Sequence, residues 1–159
     1  MTGNDTVLDV KRTDDQVPDR IVLDSQLSEL IRVSPWIEAL AARHAIPENV
    51  VFAMNLCLEE VLSNIIRHGY VGQPDHSIGV RFTAPRDDYF VLVVEDQAPP
   101  FNPVAAPELP PISAREDASV GGQGLRLLRR FADALEYQAT PTGNRLSIGF
   151  ATAGSTVRG

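Results

Sequence analysis

A single cysteine, Cys57, stands in this chain of 159 residues, so no disulfide can form within it and a reducing, cytoplasmic setting is expected. Long apolar runs are missing too, and no stretch approaches the roughly 18 apolar residues that cross a bilayer. The opening MTGNDTVLDVKRTDDQ lacks the apolar core of a signal peptide, so none is expected. Basic residues are in deficit, 14 Lys and Arg against 21 Asp and Glu, for a net charge of −7. That field repels polyanions and argues against nucleic acid or an anionic membrane as a partner. There is no internal repeat, and neither standard phosphate signature occurs. GQGLRL lacks the third glycine of the dinucleotide fingerprint, and nothing matches GxxxxGKS/T.

What is present is ordinary globular material, 43% hydrophobic and 22% charged, in a length that suits one domain. Residues 1–19 read as a polar, mobile tail and RIVLDS (20–25) as a short strand. Apolar residues recur at helical spacing from Gln26 to His44, with a kink or break expected at Pro35. Pro47 and Glu48 suit the first turn of a second helix running to about His68. SIGVRFTA (77–84) and YFVLVVED (89–96) form a hairpin through PRDD. Residues 97–120 hold six of the twelve prolines, the mark of a long loop that serves as a lid or binding element. GGQG then opens a third helix, and ALEYQAT and RLSIGFAT flank TPTGN as a last hairpin, with 153–159 as a tail. Hairpin-joined strands with three helices predict an α/β chain of the α+β kind, a two-layer sandwich with helices on one face of a mainly antiparallel sheet.

The polar residues of CLEEVLSNIIRHGY (57–70) interrupt a helix that otherwise reads as core. At about 100° per residue, Val51, Met54, Leu58, Val61, Leu62 and Ile65 form the buried stripe, and Ser63 and Arg67 fall towards solvent. Glu60, Asn64 and His68 make a row beside the stripe, next to Ala53 and Cys57, while Glu59 points elsewhere. Such a row is either a solvated helix edge or a carboxylate and a carboxamide oxygen converging on a hydrated metal ion or a reacting hydroxyl. Magnesium takes hard oxygen ligands and keeps several waters, and a nearby non-ligand Glu can deprotonate a nucleophile. His68, near the helix end, equally suits a capping role.

VLVVEDQAPPFNP carries an apolar strand into Asp96, whose carboxylate either starts a turn or accepts a hydrogen bond from an exocyclic amine such as adenine's. Phe101 is a loop anchor on the core or a pocket wall. SVGGQGLRLLRR sets Gly121, Gly122 and Gly124 before an amphipathic helix, as a phosphate cradle or a flexible joint.

In this order, Glu-x-x-x-Asn on a helix, a strand ending in Asp-x-x-x-Pro-Phe-x-Pro, and Gly-x-Gly-Leu opening a later helix resemble the N, G1 and G2 boxes of the GHKL (histidine-kinase-like) ATPases. More closely, EEVLSNIIRHGY, EDQAPPFNP, GGQGLRLLRRFAD and GNRLSIGF resemble the anti-sigma-factor serine/threonine-protein kinases of bacterial partner-switching systems, over about residues 20–152. The resemblance implies a Bergerat-type fold, ATP and Mg²⁺ as ligands, and a lid over 103–120. By it, Asn64 holds the metal, Glu60 is the general base, and Asp96 reads adenine. Ala98 and Phe101 lie at the base, while Gly122, Gly124 and Leu125 lie at the phosphates. Asp133 matches an acidic, structural position. It also implies an anti-sigma-factor antagonist and a sigma factor as partners, and a homodimer. Two positions depart from the family pattern. Ala98 stands where Gly is usual, so its methyl threatens to crowd the base or restrict φ, and Asn102 stands where Asp is frequent. A sequestering module with weak or absent phosphotransfer is the alternative that Ala98 favours. A histidine kinase's catalytic part fits less well, for want of a helical hairpin bearing a phospho-accepting His.

Overall fold

The computed structural model describes residues 19–103 and 120–153, with only the backbone course for 120–125. The expected tails at 1–18 and 154–159 and nearly all of the lid at 103–120 lie outside the described residues. The strands are β1 (Arg20–Asp24), β2 (Ser77–Arg86), β3 (Tyr89–Asp96), β4 (Ala134–Ala139) and β5 (Asn144–Ala151). The helices are α1 (Val33–His44), α2 (Glu48–Asn64) and α3 (Val120–Phe131). A 3-10 helix, Leu27–Arg32, leads into α1, and a π-helical turn, Ile65–Gly69, ends α2.

The strands form one sheet of order β1-β2-β3-β5-β4 with every pairing antiparallel. Burial alternates along them because successive side chains face opposite ways. Ile21 and Leu23, Ile78, Val80 and Phe82, Phe90, Leu92 and Val94, and Leu146, Ile148 and Phe150 share a single core with residues of all three helices. Met54, Leu58 and Leu62 of α2 are fully buried, so truncating either leucine to alanine costs about 2–5 kcal/mol. The opposite face carries charge, with Glu95 3.6 Å from both Arg81 and Arg145. The outer edge of β1 is covered: Arg32 donates to the Val22 carbonyl and the Asp24 amide donates to Glu29. Capping an edge in this way removes a template for further strand pairing.

Three expectations shift. The helical run from Gln26 changes character at Val33 rather than at Pro35, which sits in the first turn of α1 where its missing N–H is one the helix cannot use anyway. Ser63 is buried, not solvent-facing, because α2 is packed by α1, α3, β5 and the 3-10 helix and keeps only a narrow exposed side. The stretch Glu48–Gly69 is long and apolar enough to cross a membrane by length and composition, with hydropathy 1.3, but 56% of that window is buried inside the domain, as befits its core helix.

Candidate functional site

Helix α2 presents Glu60 and Asn64 half-buried and one turn apart, with Glu59 exposed on another side. Among the described residues, Glu60 Oε2 and Asn64 Oδ1 are both buried without a hydrogen-bond partner. An orphaned buried acceptor costs roughly 1–3 kcal/mol, so two side by side on a core helix call for a ligand. A hard divalent cation fits the donor set, since it takes an amide oxygen readily and completes its shell with phosphate and water. Among the described residues no group of three or more His, Cys, Asp or Glu gathers to hold a metal, so protein alone would supply little of such a shell. The small residues beside the row, Ala53 and Cys57, are buried. Burial, helped by the charge of Glu60, pushes the Cys57 thiol up to about 12, which keeps it un-ionised and unreactive.

Immediately after Asn64 the chain widens into the π turn, closed by the Tyr70 amide donating to the Ile65 carbonyl at 2.9 Å. The extra residue per turn carries His68 off the Glu60–Asn64 row, and His68 is exposed. The turn delivers Gly69 and Tyr70 to the end of β3. The Tyr70 hydroxyl accepts from the Gln97 amide at 2.6 Å, and its ring stacks on His76 at 4.7 Å. Burial raises the Tyr70 phenol above its ordinary range, the Gln97 amide opposes the rise, and the nearby Asp96 charge adds to it.

At the end of β3, Asp96 is buried. Its Oδ1 accepts from the Ala98 amide at 2.8 Å and from Asn144 Nδ2 at 2.9 Å. Burial lifts the Asp96 carboxyl above its usual value, while the Asn144 and Ala98 donors pull it back towards ionisation. Ala98 is buried, and its methyl faces Gly69, where an added Cβ would stand only 2.8 Å away. Among the described residues Ala45 is the one non-glycine with positive φ, so Ala98 suffers no backbone strain. The methyl at 98 thus packs towards the place where residue 69 has no side chain. Phe101 is exposed, which excludes a core anchor, although its amide donates to Asn144 Oδ1 at 3.0 Å.

Asn144 is the residue that sequence patterns did not single out. It opens β5 directly opposite Asp96 in register, and only that pairing makes it part of the site. The one trace in the sequence is the Gly-Asn step of TPTGN. Gly143 is required there, because a Cβ on it would lie 1.9 Å from the Asp96 carbonyl oxygen.

The glycines of GGQG fall inside the first turns of α3, not before it. At the far end of α3, Phe131 meets Phe52 of α2 edge-to-face at 5.9 Å. Since α2 begins only at Glu48, the packing of α3 along it requires the two helices to run in opposite senses. At about 1.5 Å per residue on each helix, Gly121, Gly122, Gly124 and Leu125 return to roughly the level of Glu59 to Leu62. The helix start, whose first amides have no partner within the helix, thus lies at about the same level along α2 as Glu60, and a helix start is a favourable place for an anion. Asp133 has a structural part, as its Oδ2 accepts from the Ala151 amide at 2.7 Å.

A sheet covered on one face by helices, a carboxylate–carboxamide pair on the core helix and an Asp at the end of the central strand define an ATPase domain of the histidine-kinase type. Residues 23–150 match the model of the histidine kinase-like ATPase domain family, and the chain belongs to that family. Its curated relative, the serine/threonine-protein kinase BtrW of Bordetella bronchiseptica, is 32% identical over 114 residues, covering 71% of this chain and 79% of BtrW. In fold it resembles the RsbU and RsbW domains of Rv1364c from Mycobacterium tuberculosis, with TM-score 0.56 and 13% identity over 83% of this chain and 31% of that one. It also resembles a blue-light activated histidine kinase of Erythrobacter litoralis, with TM-score 0.50 and 16% identity over 78% of this chain and 41% of that one. The chain thus spans less than half the length of both solved structures.

Proposed function

We propose that the protein is a cytoplasmic, ATP-dependent serine/threonine kinase of the anti-sigma type, which transfers phosphate to a serine of an anti-sigma-factor antagonist and, in its other state, holds a sigma factor or similar regulator, acting as a homodimer. The observation that carries this reading is a contrast: Glu60 Oε2 and Asn64 Oδ1 lack partners among the described residues, while Asp96 is held in place by surrounding donors. Asp96 receives the adenine amine. Asn64 Oδ1 holds Mg²⁺, which when bound neutralises charge on the phosphates. The start of α3 offers backbone amides to the phosphate oxygens. Glu60 Oε2 accepts the proton of the attacking serine hydroxyl as its oxygen bonds to the γ-phosphorus, and the bond to the β–γ bridging oxygen breaks to leave ADP. A doubly charged phosphate on the antagonist then disfavours the interface through repulsion and desolvation.

The sequestering alternative draws its support from Ala98, and the packing of that methyl towards Gly69 favours the kinase over it. The test is direct. With radiolabelled ATP, Mg²⁺ and the antagonist encoded beside it, the protein labels that partner on serine. Tight partner binding without label would replace this reading with the sequestering module.

A further inference from the structure

The loop 96–101 is gripped by one side chain whose role nothing above assigns. Asn144 is 7% exposed, and its carboxamide makes five contacts with that loop and with β4. Nδ2 donates to Asp96 Oδ1 at 2.9 Å and to the carbonyls of Ala98 and Pro99, each at 3.2 Å. Oδ1 accepts from the Phe101 amide at 3.0 Å and from the Tyr137 hydroxyl at 2.5 Å. The orientation of the amide admits no flip: carbonyl and carboxylate oxygens can only accept, and the Phe101 N–H can only donate. Gly143, one residue earlier, lets the Asp96–Gln97 backbone pass against the hairpin, since a Cβ there would meet the Asp96 carbonyl oxygen at 1.9 Å. The β4–β5 hairpin is therefore shaped around the end of β3 by two adjacent residues, one supplying space and the other hydrogen bonds.

We propose that Asn144 is a positioning and specificity-determining residue for the purine base, an inference that rests on the proposed ATP site. Two donors, Asn144 Nδ2 and the Ala98 amide, converge on the same oxygen of Asp96. That fixes the plane of the carboxylate and leaves Oδ2, which has no hydrogen-bond partner among the described residues, as the oxygen presented to the base. A fixed acceptor favours the 6-amino group of adenine and repels the 6-keto oxygen of hypoxanthine. A carboxylate free to turn away discriminates less, because it can rotate to avoid the repulsion and water can fill its place. No smaller side chain at 144 does the same work. A hydroxyl has a single hydrogen and cannot donate to Asp96 and to the loop carbonyls of Ala98 and Pro99 as well, and an Asp has no hydrogen to give.

The experiment is calorimetric titration of the full chain, in Mg²⁺, with ATP and with ITP. The wild type is expected to prefer ATP by at least about tenfold, and Asn144→Ala to bring the preference within about threefold, mostly by weakening ATP. A residue that merely stabilised the fold would weaken both nucleotides alike or reduce the folded fraction, with the ratio unchanged. Tyr137→Phe keeps Asn144 but removes one of the two donors to its Oδ1, and serves if Asn144→Ala does not fold; the preference then falls by about threefold. An unchanged ATP-to-ITP ratio in whichever variant folds overturns the positioning role and leaves the ATP site standing. A wild type that binds neither nucleotide overturns both.

Discussion

The two ends of the proposed ATP site are built on opposite principles. At the base end nearly every polar group meets a partner: Asp96 with Ala98 and Asn144, Gln97 with Tyr70, Phe101 with Asn144. At the reacting end, Glu60 and Asn64 each keep a buried oxygen with none among the described residues. The difference suits the roles proposed for the two ends. Recognition of a base gains from a rigid acceptor set in advance, because no ordering cost then falls on binding. Transfer needs groups whose capacity is saved for metal and proton, and the fold bears their desolvation until the ligand arrives. The π turn joins the two, since it follows Asn64 at once and ends on the residues that touch Gln97 and Ala98.

Substitutions at the reacting end should therefore abolish chemistry while sparing the fold, and those at the base end should trade affinity against stability. The largest effect is expected for Glu60→Gln, which removes the proton acceptor and lowers transfer by about 10²–10⁴-fold, with nucleotide affinity nearly unchanged in calorimetry. Normal transfer by this variant would refute the base assignment. Asn64→Ala should weaken ATP binding by about tenfold or more in Mg²⁺ and hardly at all in chelator, so that the metal dependence itself is lost.

Asp96→Asn sharpens the comparison from the other side. Burial holds the Asp96 carboxyl above its ordinary value, so the folded state binds that proton more tightly than the unfolded chain. The ionised carboxylate accordingly costs stability at neutral pH. That cost is relieved as pH falls through the raised folded value towards the ordinary carboxylate range. Asp96→Asn should flatten this part of the stability–pH profile in denaturant titrations and leave the free protein no less stable at neutral pH. Its ATP affinity should drop by about tenfold to a hundredfold, as for loss of a charged acceptor.

Gly69→Ala tests the joint between the ends. The new Cβ would stand 2.8 Å from the Ala98 methyl, closer than carbon atoms tolerate. Overpacking of this kind costs about 1–3 kcal/mol, more than the roughly 0.5–1 kcal/mol that alanine gains over glycine in a helix. Adding Ala98→Gly should restore the loss, a coupling that thermal denaturation of the four proteins in a double-mutant cycle measures. Glu59→Gln, on the exposed side of the same helix, should change transfer by less than about twofold and set the baseline for its neighbour.

Most of the elements were legible before any coordinates, for identifiable reasons. The strand-like runs 77–84 and 89–96 and the helical spacing from 48 to about 68 report burial, and those elements lie close to where the patterns put them, with β2 two residues longer and α2 passing into the π turn at Ile65. The separation of Glu59 from Glu60 followed from 100° per residue alone. Ser63 was misplaced because a wheel shows direction but not how many neighbours surround a helix. His68 was drawn into the row because a π turn adds a residue that no local signal announced.

The sequence by itself determined the secondary elements, the helical pair Glu60 and Asn64, and the family, because those depend on spacing along the chain and on motif order. Only the tertiary structure decided where the Ala98 methyl packs and that Asn144 bonds to Asp96. Each depends on a contact across dozens of residues, Ala98 with Gly69 and Asn144 with Asp96. Such contacts exist only once β5 has paired with β3 and the π turn has closed, and no periodicity along the chain encodes them.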